Sequence, residues 1–239
     1  MALLTVDHVR VEFGGIVALA DLSFTIDDGE ICALIGPNGA GKTTLFNCVS
    51  RLYQPKEGSI DFDGRDLLAL PPHRIARVGI SRTFQNLALF PALTVVQNVM
   101  VGGHSRGHSS RTSRVDALAL LQRLDLVDLA DRPAVGLPYG TLKRIEIARA
   151  LAARPRLLLL DEPAAGLTHS EVDELAELVR TIRSDFELTV LLVEHHMAMV
   201  MAISDAIVVL DFGSKIAEGP PEQIRDDPRV IEAYLGTPA

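Results

Sequence analysis

Residues 36–44 read Gly36-Pro37-Asn38-Gly39-Ala40-Gly41-Lys42-Thr43-Thr44, a match to G-x-x-x-x-G-K-[ST]. The match sits between the unbroken apolar run Ile31–Ile35 and a helical pattern from about Lys42 to Arg51. A continuous apolar run is the mark of a strand buried on both faces. Strand, glycine-rich loop and helix in that order form a phosphate cradle. Glycines let backbone N–H groups turn inward, and the helix N-terminus adds a dipole that favours anions. Lys42 is expected to reach the outer phosphates and Thr43 to offer its hydroxyl to Mg²⁺. The sequence therefore predicts a nucleotide-binding α/β fold.

Such a loop works with an acidic partner at a neighbouring strand end. Leu157-Leu158-Leu159-Leu160-Asp161-Glu162 supplies one, an apolar run ending in two acids. At the carboxyl edge of a parallel sheet, Asp161 would hold the metal through water. Glu162 would take a proton from an attacking water. Leu188–Val193 reads as a further buried strand, joined to the first by a helix over Ser170–Arg183 in a βαβ unit. Ala206–Leu210 adds a strand, and Asp211–Ser214 turns into Lys215–Ala217. Alternation at Leu4, Val6, Val9, Val11 and Phe13, and again at Leu22, Phe24 and Ile26, predicts short antiparallel strands around a Gly14-Gly15 turn. Gly58–Gly64 reads as another strand and turn. Helices are predicted over Val115–Leu124 and Leu142–Ala153, and His104–Ser113 as an exposed loop.

Composition closes several alternatives. The longest apolar run, Met197–Ile203, is seven residues, against about 20 for a membrane span. No basic stretch followed by an apolar core opens the sequence, so no secretory leader is expected. Cys32 and Cys48 read as small core residues in a reducing compartment. The net charge of -8 argues against nucleic acid as a partner. That charge is uneven. Leu67–Val115 holds no acid and six arginines, Arg74, Arg77, Arg82, Arg106, Arg111 and Arg114, with His73, His104 and His108. The stretch is either a solvated surface or a basic face that meets an acidic partner or membrane surface.

Taken together, these motifs resemble those of ATP-binding cassette (ABC) transporter ATPases over essentially the whole chain. The resemblance implies a single domain, 1–239, with an antiparallel β-subdomain, a helical insertion at about 87–152 and a tail from about 219. It implies that ATP and Mg²⁺ bind, with Phe13 stacking on adenine. Gln85, in Ser81-Arg82-Thr83-Phe84-Gln85, would contact Mg²⁺ and the attacking water and link the site to a membrane partner. His195 would contact the γ-phosphate. His196 is adjacent, and position relative to Val193-Glu194 selects His195. Leu137-Pro138-Tyr139-Gly140-Thr141 stands at the signature position just before a helix, and Pro163–Thr168 at the loop that crosses the dimer interface.

Two departures stand out. The usual signature is Leu-Ser-Gly-Gly-Gln, and Pro138 here removes the serine hydroxyl, leaving Tyr139, Gly140 and the helix N-terminus to serve the partner's phosphate. Thr168 replaces a common aspartate. The Tyr-Gly signature, Asp161–Leu167, Glu194-His195 with Met197, and the tail from Pro221-Glu222-Gln223-Ile224 to Tyr234-Leu235-Gly236 are similar to branched-chain amino acid importers. That likeness implies partner permeases in the membrane, a sister ATPase subunit or a second copy, and indirectly a substrate-binding protein. It places the chain at the cytoplasmic face of the membrane. The ATPase of a lipid or lipopolysaccharide exporter, or a soluble ABC ATPase, would share every catalytic motif.

Overall fold

The computed structural model describes residues 1–106 and 110–235. Strands β1 (Ala2–Phe13) and β2 (Ile16–Asp27) form a long hairpin; β3 (Ile31–Ile35) enters the central sheet and hands the chain to α1 (Lys42–Val49). Strands β4 (Glu57–Phe62) and β5 (Arg65–Asp66) complete an antiparallel sheet of order β2-β1-β4-β5. A short α2 (Ile75–Val78) leads to β6 (Ile80–Arg82). Three helices follow, α3 (Val95–Gly102), α4 (Ser110–Arg123) and α5 (Tyr139–Leu151). The chain returns through β7 (Leu157–Asp161), α6 (His169–Asp185), β8 (Thr189–Val193), α7 (Met197–Ile203), β9 (Ala206–Asp211) and β10 (Ser214–Gly219). It ends on α8 (Pro221–Arg225) and α9 (Pro228–Leu235).

The second sheet has the order β10-β9-β3-β8-β7-β6, parallel except for β10. Its strands read as unbroken apolar runs because both faces are covered. Leu158 and Leu160 of β7 face the core under the helices, whereas Leu157 and Leu159 face the core shared with α1 and the antiparallel sheet. Residues 190–193 of β8 divide in the same way. The strand order places the carboxyl ends of β3, β8, β7 and β6 side by side. Residues far apart in sequence thereby share one edge, where α/β sheets bind ligands.

Several elements differ from the sequence expectation. β1 and β2 are long strands rather than short ones, with register shifts between Val6 and Val9 and again towards Glu12 that absorb the breaks in alternation. His104–Ser113 is not a loop throughout. A 3₁₀ turn spans Gly103–Arg106 and α4 already begins at Ser110, while Gly107, His108 and Ser109 lie outside the described residues. α5 begins at Tyr139, so Tyr139, Gly140 and Thr141 form its first turn rather than preceding it. Pro138 is its N-cap, where a missing N–H costs nothing. α3 carries a signal that the sequence reading passed over, a capping box in which the Thr94 hydroxyl takes the Gln97 N–H and the Gln97 side chain takes the Thr94 N–H. Of the arginines in the acid-free stretch, Arg82 is interior and Arg114 pairs with Asp131 at 2.8 Å, so the stretch is less basic outwardly than its composition suggests.

Candidate functional site

The phosphate loop is shaped by glycines that nothing else can replace. Gly36 has φ +147°, and a Cβ there would stand 2.1 Å from the Leu210 carbonyl oxygen. Gly41, the N-cap of α1, has φ +104°, and its Cβ would meet the Ala18 oxygen at 2.6 Å. Both positions combine a left-handed backbone with closed space. A cleft of about 300 Å³ runs along the loop, lined by Asn38–Thr44, Ala18, Gln85, Glu162 and His195. The backbone thus brings the ends of β3, β6, β7 and β8 to one opening.

In the cleft, Lys42 is 6% exposed and its Nζ donates to the Gly36 oxygen at 2.6 Å and the Pro37 oxygen at 2.9 Å. Burial pulls its pKa below the usual lysine range, and the Glu162 carboxylate pulls it back up. The loop's own carbonyls hold the ammonium where phosphate oxygens would take it. Lys42→Ala should weaken ATP binding by about 10–150-fold, the worth of a hydrogen bond to a charged group. Equilibrium titration with a fluorescent ATP analogue checks this, and an unchanged affinity would remove Lys42 from the phosphate site.

Glu162 is the centre of the polar arrangement. It has φ +48°, a left-handed conformation costly for a non-glycine residue. Its N–H donates to the Val193 oxygen at 2.9 Å, which fixes the turn after β7 against β8. The Gln85 Nε2 donates to Glu162 Oε2 at 2.8 Å, and His195 Nε2 stands 3.0 Å from Oε1. The ring that meets the glutamate belongs to His195; His196 is the residue that precedes α7. A carboxylate held at both oxygens beside a phosphate loop is a candidate proton acceptor.

Asp161 is 3% exposed, and its Oδ2 accepts from Arg82 Nη2 at 2.7 Å. Thr43 is exposed at the loop. A hydroxyl, a carboxamide and a carboxylate are hard oxygen donors of the kind Mg²⁺ prefers, so Thr43, Gln85 and Asp161 fit that ion. Among the described residues no three His, Cys, Asp or Glu side chains gather as a metal site, so nucleotide oxygens would complete the shell.

The other expected residues lie elsewhere. Phe13 is not in the core; it is 46% exposed and meets Tyr53 edge-on, with ring centroids 5.1 Å apart. Tyr53 is a second aromatic at that position which the sequence reading did not single out. Pro138 and Gly140 line a separate cleft of about 610 Å³ between α5 and α6, together with Thr141, Lys143, Glu171 and Glu174. Tyr139 packs on Gly166 of the loop after β7 and lies under the Lys143 ammonium, 5.6 Å from its ring centroid. Among the described residues, the signature does not line the cleft along the phosphate loop.

Two buried acids were not foreseen. Glu194, 1% exposed, accepts the Ala164 N–H at 2.6 Å, the His195 N–H at 2.9 Å and the His196 N–H at 3.2 Å. It binds the loop after Glu162 to the histidine turn. Glu146 of α5, also 1% exposed, accepts from the Phe84 N–H at 3.3 Å and the Ala88 N–H at 3.5 Å. Burial raises its pKa, and those N–H groups with Lys143 and Arg149 act against the rise. Lys143 also donates to the Gln85 oxygen at 3.4 Å, so the helix that opens at the signature grips the segment carrying Gln85. An acid before His195 and one inside a helix look ordinary in sequence, because the partners that tie them to other elements are backbone N–H groups 30 and about 60 residues away.

Known proteins resemble this chain in sequence and fold. The ABC transporter family model matches residues 19–165, and that of the branched-chain amino acid ATP-binding cassette transporter matches residues 214–239. The high-affinity branched-chain amino acid transport ATP-binding protein BraF of Pseudomonas aeruginosa is 44% identical, over 98% of this chain and 98% of its own. LivG of Escherichia coli K12, described in the same words, is 43% identical over 98% of both chains. The crystal structure of the ADP conformation of MJ1267, an ATP-binding cassette of an ABC transporter, superposes with a TM-score of 0.90 at 30% identity, covering 99% of this chain and 100% of that one.

Proposed function

The chain belongs to the ABC transporter ATPases, and from that premise we propose that its ATP hydrolysis drives import of branched-chain amino acids, or a related small polar solute, through partner permeases. The cargo reading is supported by BraF and LivG, whose names state it, and by the match of residues 214–239. The hydrolytic reading is carried by one observation above others: Glu162 held between Gln85 and His195 at the mouth of the phosphate loop.

In this reading the loop N–H groups and Lys42 bind the phosphates, with Gly36, Pro37, Asn38, Gly39, Ala40, Gly41 and Thr44 forming the cradle. Lys42 leaves the Gly36 and Pro37 carbonyls to do so. Phe13, with Tyr53 beside it, offers a surface for the adenine. Mg²⁺, held by Thr43, by Gln85 and through water by Asp161, would offset phosphate charge when bound. Glu162 accepts the proton of the attacking water, and His195 steadies Glu162 and the γ-phosphate. Positioning and charge stabilisation do most of the work in phosphoryl transfer.

Because Pro138 and Gly140 line a cleft apart from the phosphate loop, we assign them, with Tyr139 between them, to the phosphate of a second subunit, either a sister ATPase or another copy. Closure of the pair on ATP and opening after hydrolysis would drive the permeases. The segment about 87–152 acts as the moving helical unit, tied to Gln85 through Lys143 and Glu146. Among the described residues no helix is long and apolar enough to cross a membrane. In this reading the permeases supply the path, and this subunit attaches to them at the cytoplasmic face.

The test is reconstitution of the subunit with its permeases and a substrate-binding protein in vesicles. ATP-dependent uptake of labelled leucine, abolished by Glu162→Gln, is the expected result. ATP hydrolysis unaffected by any branched-chain amino acid, with no uptake, would overturn the cargo assignment and leave the ATPase assignment standing.

A further inference from the structure

Arg82 lies on the strand that leads to Gln85 and is buried against the acid proposed for the metal. Its side chain is 9% exposed and that of Asp161 is 4% exposed, with Nη2 to Oδ2 at 2.7 Å. The other arm of the fork, Nη1, donates to Asn47 Oδ1 at 2.7 Å and Ser50 Oγ at 3.3 Å, both on the helix side of the phosphate loop. The guanidinium also faces the rings of Phe46 and Phe84 at 5.4 and 5.3 Å. One side chain thus joins α1, which opens with Lys42 and Thr43, to β6 and to the end of β7.

The chemistry requires arginine. A planar fork can serve Asn47 and Asp161 at once, whereas an ammonium is a single point. The Arg82 Nε is buried without a partner among the described residues, so the two outer nitrogens carry the bonds of the fork. We propose that Arg82 is a positioning residue for the cation site: it holds Asp161 in an ion pair, so that a divalent cation is taken up only together with nucleotide phosphates. The proposal rests on the reading of Asp161 as the metal's carboxylate.

The charge count explains the effect. The Arg82 guanidinium cancels the charge of Asp161 in a buried pair, so an arriving dication meets no net attraction from that pair until phosphates bring theirs. Removing Arg82 leaves a buried carboxylate uncompensated, a state that recruits a cation. Asp161 would then bind the metal in the absence of nucleotide, and with the affinity in the presence of nucleotide unchanged, the coupling between cation and nucleotide would fall by the same factor.

The test is Mn²⁺ titration by electron paramagnetic resonance, without nucleotide and with ADP, on the full chain. Arg82→Gln should bind Mn²⁺ without nucleotide at least about tenfold more tightly than the wild type, the scale on which groups behind metal ligands act. Arg82→Lys, which keeps the charge but cannot reach Asn47 and Asp161 at once, should gain less than Arg82→Gln and fall between it and the wild type. A folded Arg82→Gln protein with wild-type nucleotide-free Mn²⁺ affinity overturns the proposal. Should Arg82→Gln fail to fold, Asn47→Ala carries the test, because it loosens the same guanidinium and leaves its charge. A gain of at least about twofold is expected there, the low end for one hydrogen bond, and no gain overturns the proposal. Asp161→Asn separates the two levels. If it leaves Mn²⁺-ADP binding unchanged, the metal reading of Asp161 fails and this proposal with it. If it weakens that binding while the Arg82 and Asn47 variants change nothing, only the role of Arg82 fails.

Discussion

Glu162→Gln is expected to bind ATP as tightly as the wild type and to hydrolyse it about 10²–10⁴-fold more slowly, the usual worth of a general acid–base group. The geometry explains why the two effects separate. Glu162 lines the same cleft but lies outside the loop of residues 36–44 that cradles the phosphates, held by Gln85 at 2.8 Å and His195 at 3.0 Å. A glutamine keeps the volume and can still accept from Gln85. It cannot accept a proton from water. The left-handed backbone at residue 162, pinned by its N–H to Val193, would persist, so the variant should fold normally. Single-turnover hydrolysis and equilibrium nucleotide binding on the same preparation check the prediction. A variant that hydrolyses ATP at the wild-type rate would remove Glu162 from its role as base.

The sequence made local features plain and long-range ones invisible, for physical reasons. Leu157–Leu160 reads as a doubly buried strand because apolarity without alternation has few other uses, and the structure divides those leucines between two cores. The phosphate loop is legible because strand, glycines and helix are contiguous. By contrast, Arg82 meets Asp161 across 79 residues, and Glu194 meets Ala164 across 30. No spacing rule marks such pairs in a single sequence; only the strand order that sets β6, β7 and β8 side by side creates them. Helix starts fell between these cases. α3 announces itself through Thr94 and Gln97, a signal available in the sequence and missed. α5 begins within the signature, because Pro138 fits an N-cap and Tyr139-Gly140-Thr141 can enter the helix. Phe13 shows the limit of alternation, since it continues the apolar pattern of β1 yet ends at the surface beside Tyr53.

The second large effect concerns the signature, where the structure adds a charge that the sequence did not place. With Pro138 as N-cap, α5 has no side-chain cap, and no hydroxyl stands where the family commonly has serine. The Glu171 carboxylate lies close over Gly140, since a Cβ there would be 2.8 Å from its Oε1. Thr168 holds that carboxylate through its N–H and its hydroxyl, both at 2.8 Å, and these bonds keep the Glu171 pKa below the usual range. At neutral pH the acid is therefore ionised beside the helix N-terminus that would receive a partner's γ-phosphate. A hydrogen bond to a charged group is worth about 1.5–3 kcal/mol, and a homodimer lacks one at each of two sites. Two such losses make ATP-driven self-association about 10²–10⁴-fold weaker than in a relative with the complete signature. The Glu162→Gln protein with Mg-ATP should accordingly sediment mainly as a monomer, and should pair productively only beside a sister subunit held by the permeases. Pro138→Ser supplies the missing hydroxyl at a backbone position that suits an N-cap, with φ −55° and ψ 147°. It should tighten the homodimer by about tenfold or more. A Glu162→Gln homodimer that is already tight at micromolar concentration would overturn this account, and would mean that the Gly140 backbone and the helix dipole suffice to hold the phosphate against Glu171.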